Sequence, residues 1–217
     1  LLDGSLPVAS YNADHTSPTF NSGYTENEGD DPYANRDARL AYSILFNAGQ
    51  YGKYKGMGAA EPELTIYTYD GRVGTGFNNS PLSQEELDQR RSSTGYYGKK
   101  FRSAGFWGAQ TGGPNAHRIY FRLAEIYLNL AEAQCEANNL DAAITALNVI
   151  RERAGQPQIQ NVPGYTKTKE FLRERIRNER RVELCFEGHR FYDQRRWEIL
   201  DQTNGVITGM KITSSDN

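Results

Sequence analysis

Between Ile119 and Gly155 the chain carries two helical periods divided by a short polar break, and nothing else in the sequence constrains the fold as much. In RIYFRLAEIYLNLAEAQCEAN, Ile119, Leu123, Ile126, Leu130 and Ala133 fall on one stripe, with Phe121, Ala124, Leu128 and Ala131 beside it. An apolar face this wide predicts a helix packed on two sides. Asn138-Asn139 ends the segment, and Asn139 is placed to cap the next helix. LDAAITALNVIRERAG repeats the period through Ala143, Leu147, Ile150 and Ala154, and Gly155 stops it. A third helix is expected from near Thr168 through EFLRERIRNERRVELCFEG, burying Phe171, Leu172, Ile176 and Leu184. Antiparallel helices, a turn of a few residues and alanine at the contact points make the tetratricopeptide pattern. Small side chains there let facing helices nest closely. Three such units usually make a stable solenoid and barely two are visible. Further partners are expected from residues 1–118 or from an N-terminal half beyond them.

Residues 1–118 read differently. They hold 16 of the 21 glycines and 10 of the 14 tyrosines. Apolar runs are short and turn signals dense, as at Asp70-Gly71, Asn78-Asn79 and Gly112-Gly113-Pro114. NRDARLAYSILFNAG predicts a helix capped by Asn35 and Gly49, with Leu40, Ile44 and Leu45 at helical spacing. A shorter helix is expected in SQEELDQRR, where Ser83 and Glu86 form a capping box. ELTIYTYD suits a strand. The expected organisation is a loop-rich part over 1–118, a helical part over 119–200 and a tail over 201–217, integrated into one domain.

Charge excludes some functions. With 25 Lys and Arg against 27 Asp and Glu the net charge is -2, so no bulk electrostatic pull acts toward nucleic acid or anionic lipid. No apolar run approaches the ~20 residues that cross a bilayer. The chain opens at Leu1-Leu2-Asp3 with neither a signal peptide nor an initiator Met, which suggests a mature or truncated piece. Cys135 and Cys185 are too few for a zinc site. They read as small buried hydrophobes, and sequence leaves open whether they pair.

Near the end stands EGHRFYDQRRW, Glu187 to Trp197, preceded by RNERRVEL. As a catalytic site, Glu187 or Asp193 would be an acid or base near His189. A glycosidase acid needs an apolar surrounding that raises its pKa, whereas arginine neighbours lower it. As a nucleic-acid patch, the interleaved acids would repel phosphates. The reading that remains is architectural: arginine–carboxylate pairs lock one helix to the next, roofed by Phe191, Tyr192 and Trp197.

RLAEIYLNLAEAQ (Arg122–Gln134), LNVIRERAGQP (Leu147–Pro157) and ERRVELCFEGHRFYDQRRW (Glu179–Trp197) resemble the C-terminal signature of the SusD/RagB family. DPYANRDARL (Asp31–Leu40) and STGYYGKKF (Ser93–Phe101) are similar to earlier motifs of that family, in the same order. The resemblance implies an all-α fold, with tetratricopeptide-like helix pairs packed against a loop-rich, irregular region. It implies a non-enzymatic protein without cofactor, lipid-anchored at the outer-membrane surface of Bacteroidetes-type bacteria. Such a protein captures oligosaccharides and delivers them to a SusC-like TonB-dependent transporter. Family members are much longer, so the chain resembles a C-terminal portion whose anchor lies elsewhere.

Sugar rings offer apolar C–H faces and a rim of hydroxyls, so a binder needs flat aromatics beside hydrogen-bonding side chains. QYGKYKGMG places Tyr51 and Tyr54 as platforms with Gln50 and Lys53 beside them. RVGTGFNNS offers Phe77 for stacking and Asn78 and Asn79 for hydrogen bonds. Tyr24 and Trp107, in glycine-flanked loops, complete the candidate glycan site; no metal ligands or catalytic residues are expected. The competing expectation is a tetratricopeptide-type protein-interaction module without sugar binding, its groove lined by Asn129 and Asn148.

Overall fold

The computed structural model describes residues 8–11, 18–20, 33, 35–47, 49–50, 65–67, 74–75, 94–101 and 119–203. The chain divides into two units. One comprises Leu1–Thr25, Tyr33–Arg39 and Ile119–Val206; the other comprises Glu26–Pro32, Leu40–Arg118 and Ile207–Asn217.

The first unit is helical. A two-stranded antiparallel ribbon, β1 (Val8–Tyr11) with β2 (Pro18–Phe20), belongs to it as well. Helix α2 (Leu123–Glu136) turns through Asn138, whose φ of +64° is left-handed, into α3 (Leu140–Arg153). Asn139 occupies the N-cap position of α3, but its Nδ2 donates to Gln134 Oε1 instead of capping. Gly155 stops α3 as expected. At φ +68° it lets Gln156 N reach the Arg151 carbonyl (2.8 Å) and its own N–H reach that of Glu152 (3.0 Å), a Schellman closure. A short 3₁₀ turn, Ile159–Asn161, leads toward α4 (Lys169–Glu183). Thr168 caps α4, its hydroxyl accepting from Phe171 N. The helix stops at Glu183, short of the expected end at Gly188; Gly188, at φ +84°, instead starts α5 (His189–Arg196), followed by α6 (Leu200–Thr203).

Ala124, Leu128, Ala131 and Cys135 of α2 meet Ala143, Ala146, Leu147 and Ile150 of α3, and Leu172, Ile176 and Leu184 close the core. Phe171 is half-buried against the edge of Tyr165. The alanines sit at the helix contacts, as a tetratricopeptide-like pair requires. The wide face of α2 is only half used. Ile119, Phe121, Leu123, Ile126 and Leu130 are exposed, Leu123 to 68%. Periodicity marks a stripe as apolar without saying whether a neighbour covers it.

Across Tyr33–Arg39 and into Leu40–Arg118, the long helix expected from Asn35 to Gly49 is replaced by a shorter device. Asn35 has φ +54°, outside the extended conformation an N-cap uses. Helix α1 runs only over Arg39–Ser43 and passes directly into β3 (Ile44–Leu45), which pairs antiparallel with β7 (Tyr97–Gly98). The lysine-bearing stretch stitches this join. Lys99 Nζ donates to the Ala41 carbonyl, and the backbone N–H groups of Lys99 and Lys100 donate to that of Ser43. Gly49 is no helix cap. It opens β4 (Gly49–Gln50), where an added Cβ would come 2.9 Å from the Phe46 carbonyl oxygen. The expected strand in ELTIYTYD is β5 (Thr65–Tyr67), flanked by β4 and by β6 (Gly74–Thr75). The helix expected over SQEELDQRR lies outside the described residues.

Candidate functional site

The crowded C-terminal segment is an ionic interlock. Glu183, on the last turn of α4, has a side chain only 2% exposed. Its two oxygens receive Arg39 Nη1 (3.0 Å), Arg122 Nη1 (2.5 Å) and Arg153 Nη2 (2.6 Å to each). One turn earlier Glu179 accepts from Arg151 Nη1 (2.8 Å). Arg39 Nη1 also lies 2.6 Å from Glu179 Oε1, a charge contact without hydrogen-bond geometry. Arg39 is held as well by Asp37, and Arg122 takes Glu187 bidentately at 2.7 Å. A second cluster joins α4, α5 and α2. Buried Arg180 donates to both oxygens of buried Asp193 (3.1 and 3.2 Å) and to Asn129 Oδ1 (2.6 Å). Arg196 bridges Asp193 and Glu132, and Trp197 Nε1 donates to Glu132 at 2.7 Å.

Neither Glu187 nor Asp193 is poised as a general acid, because each is engaged by guanidinium groups. One detail differs from the sequence reading. Phe191 and Tyr192 form no roof: both are exposed, stacked edge to face on each other with Arg195 lying over Phe191. The arginines that sequence reasoning missed, Arg39, Arg122, Arg151 and Arg153, stand inside the quoted motifs. Their partners lie up to 144 residues away, beyond the reach of spacing rules.

Burial by itself would raise the carboxyl pKa of Glu183, Glu132 and Asp37. Hydrogen bonds and charge from Arg122 and Arg39, from Arg196 and Trp197, and from Arg39 respectively outweigh it and hold each below its ordinary value. Arg173, helped by Lys169, pulls the exposed Glu136 down to about 2. A depressed folded-state pKa stabilises the fold above the unfolded value, about 4, and that gain is lost as pH falls through the folded value. The urea midpoint followed by circular dichroism is therefore expected to hold between pH 7 and about 5 and to drop steeply below about 4. A midpoint unchanged at pH 3 would contradict the interlock.

The groove candidates of the protein-interaction reading are already engaged. Asn148 is buried, accepting from Ile159 N and donating to Gln160, while Asn129 accepts from Arg180. Cys135 and Cys185 are both free thiols. Among the described residues no helix is long and apolar enough to cross a membrane.

Tyr24, Tyr51, Lys53, Tyr54, Phe77, Asn78, Asn79 and Trp107 lie outside the described residues. The strands that lead to two of these groups are described. β4 and β6 each pair antiparallel with β5, so they run in the same direction. Gln50 stands opposite Thr65, and Thr75 opposite Ile66. Both strands therefore leave the sheet at the Thr65 end of β5. Tyr51 follows β4 immediately in sequence, and Phe77 follows β6 two residues on.

Comparison with known proteins identifies the family. The profile of the SusD family matches residues 3–214. The chain belongs to the SusD family. The SusD-like protein P25 of Formosa agariphila is 42% identical over 85 residues, which are 39% of this chain and 16% of that protein. A SusD-like protein of Bacteroides fragilis, solved by crystallography, superposes with a TM-score of 0.66 at 28% identity, covering 91% of this chain and 36% of that one. This SusD-family chain thus spans about a third of the solved relative's length and less of the curated one. Its all-α, tetratricopeptide-like helices are the fold the family resemblance implies.

Proposed function

We propose that this chain is part of a SusD-like glycan-binding protein of the outer-membrane surface, held there by a lipid. It captures oligosaccharides without turnover and delivers them to a SusC-like TonB-dependent transporter. Family membership across 3–214 carries the reading. Two further observations support it. The carboxylates of the C-terminal segment are consumed in pairing, which leaves them no acid–base chemistry. The strands β4 and β6, which precede Tyr51 and Phe77 in sequence, leave one sheet at the same end. Tyr51, Tyr54 and Phe77 stack on sugar faces, Asn78 and Asn79 take hydroxyls, and Tyr24 and Trp107 extend the surface.

Calorimetric titration with a panel of oligosaccharides tests this. The expected result is micromolar-to-millimolar binding to one class of glycan, with no released sugar on prolonged incubation. Tyr51→Ala and Tyr54→Ala are each expected to weaken that binding ~10-fold, the cost of losing a stacking aromatic. Full affinity in both variants would remove these tyrosines from the site; released sugar would make the protein a hydrolase.

A further inference from the structure

The chain leaves the helical unit after Arg39 and rejoins it at Ile119, with Leu40–Arg118 assigned to the other unit. These two of the chain's crossings between the units are remote in sequence, yet within the helical unit they converge on one side chain. Arg39, the last residue before the departure, donates to Glu183 Oε2. Arg122, three residues after the return, donates to Glu183 Oε1 and, through Nη2, to the Glu183 backbone carbonyl at 2.6 Å. Each arm has further anchors, Asp37 and the Glu179 charge for Arg39 and Glu187 for Arg122, so neither guanidinium swings freely. Arg153 of α3 holds the same carboxylate from the side.

We infer that Glu183 is a positioning residue, a clasp that closes the base of the Leu40–Arg118 excursion by binding both of its stems at once. A carboxylate has two oxygens, and here each serves a different stem. Joining the ends of a long segment at one point removes conformations the open segment would sample. The arrangement differs from general helix-to-helix pairing in one respect: the two arms depend on each other. Once either arginine leaves Glu183, the shared point is lost and the two stems are held only separately, through Glu179 and Glu187.

Glu183→Gln keeps the shape and removes the charge. Hydrogen–deuterium exchange read by mass spectrometry is the measurement, with peptides covering 40–47 and 94–101 reporting the excursion and peptides within α2 and α3 reporting the helices. In Glu183→Gln the first set is expected to exchange ~10-fold faster, over and above any change in the second, as for a sub-global opening. Arg39→Gln and Arg122→Gln are each expected to give that same acceleration, and the double variant no more than either alone. Should Glu183→Gln fail to fold, the two arginine variants decide the matter. Unchanged exchange at 40–47 and 94–101, acceleration shared equally by α2 and α3, or additive effects of the two arginines would each overturn the clasp. A second readout rests on the glycan reading: affinity for an oligosaccharide bound by the parent chain is expected to fall in Glu183→Gln and to return toward the parent value in Glu183→Asp. If the parent chain binds no oligosaccharide, the glycan reading fails and the exchange data still judge the clasp.

Discussion

Arg180→Met is expected to lower the stability of the helical unit by about 3–5 kcal/mol, the cost of leaving a buried charge without its partner. Arg180 is buried among α2, α4 and α5, and its three nitrogens serve Asp193 twice and Asn129 once. Methionine fills similar volume and offers no donor. Among the described residues Asp193 then keeps the ion pair to Arg196, whose side chain is 43% exposed and already shared with Glu132. The diagnostic variant is the double one. Adding Asp193→Leu removes the stranded carboxylate, and replacing a whole buried pair by apolar groups is often neutral or stabilising. More than half of the lost stability is expected to return. Urea unfolding followed by circular dichroism measures all three chains. A loss under ~1 kcal/mol in Arg180→Met, or a double variant weaker than the single, would show that the pair is not buried as described.

Leu147→Ala is the second large effect. Leu147 is fully buried at the centre of the core between α2, α3 and α4. Truncation there loses the transfer free energy of the removed methyl groups and leaves a cavity, together about 3–4 kcal/mol. Its control is Leu123→Ala. Leu123 belongs to a stripe that the sequence marks as equally apolar, but it is mostly exposed, so truncation is expected to cost within about 0.5 kcal/mol. Similar losses at the two positions would mean that Leu123 is covered.

These contrasts mark where the sequence was readable. Thr168, Gly155 and Gly188 act locally: a hydroxyl capping N–H groups three residues on, and two glycines taking backbone angles that other residues avoid. Ala124, Ala131, Ala143 and Ala146 announced the close helix pair through their size. What failed to show depended on distant partners. Ile44 and Leu45 sit at helical spacing from Leu40, but pairing with Tyr97 and Gly98 draws them into a ladder. The stripe on α2 is apolar whether or not anything covers it. The charges of Glu179 to Arg196 invited local pairing; their principal partners came from Arg39, Arg122 and Arg151. For the candidate glycan site, composition named the aromatics and the family resemblance assigned them a role. The strand directions add that β4 and β6 leave their sheet at the same end.

The burial of Glu179 and Glu183 has a consequence for the medium in which this protein is used. Dissolved salt weakens attraction between charges that water can reach, and at 1 M the screening length is about 3 Å. The Lys167–Asp141 pair, with side chains 49% and 86% exposed, is open to that effect. Glu179 and Glu183, at 4% and 2%, are closed to hydrated ions. A bare proton combines with a carboxylate wherever brief opening lets it in. A fold pinned by charge can thus be indifferent to brine and still fail in acid.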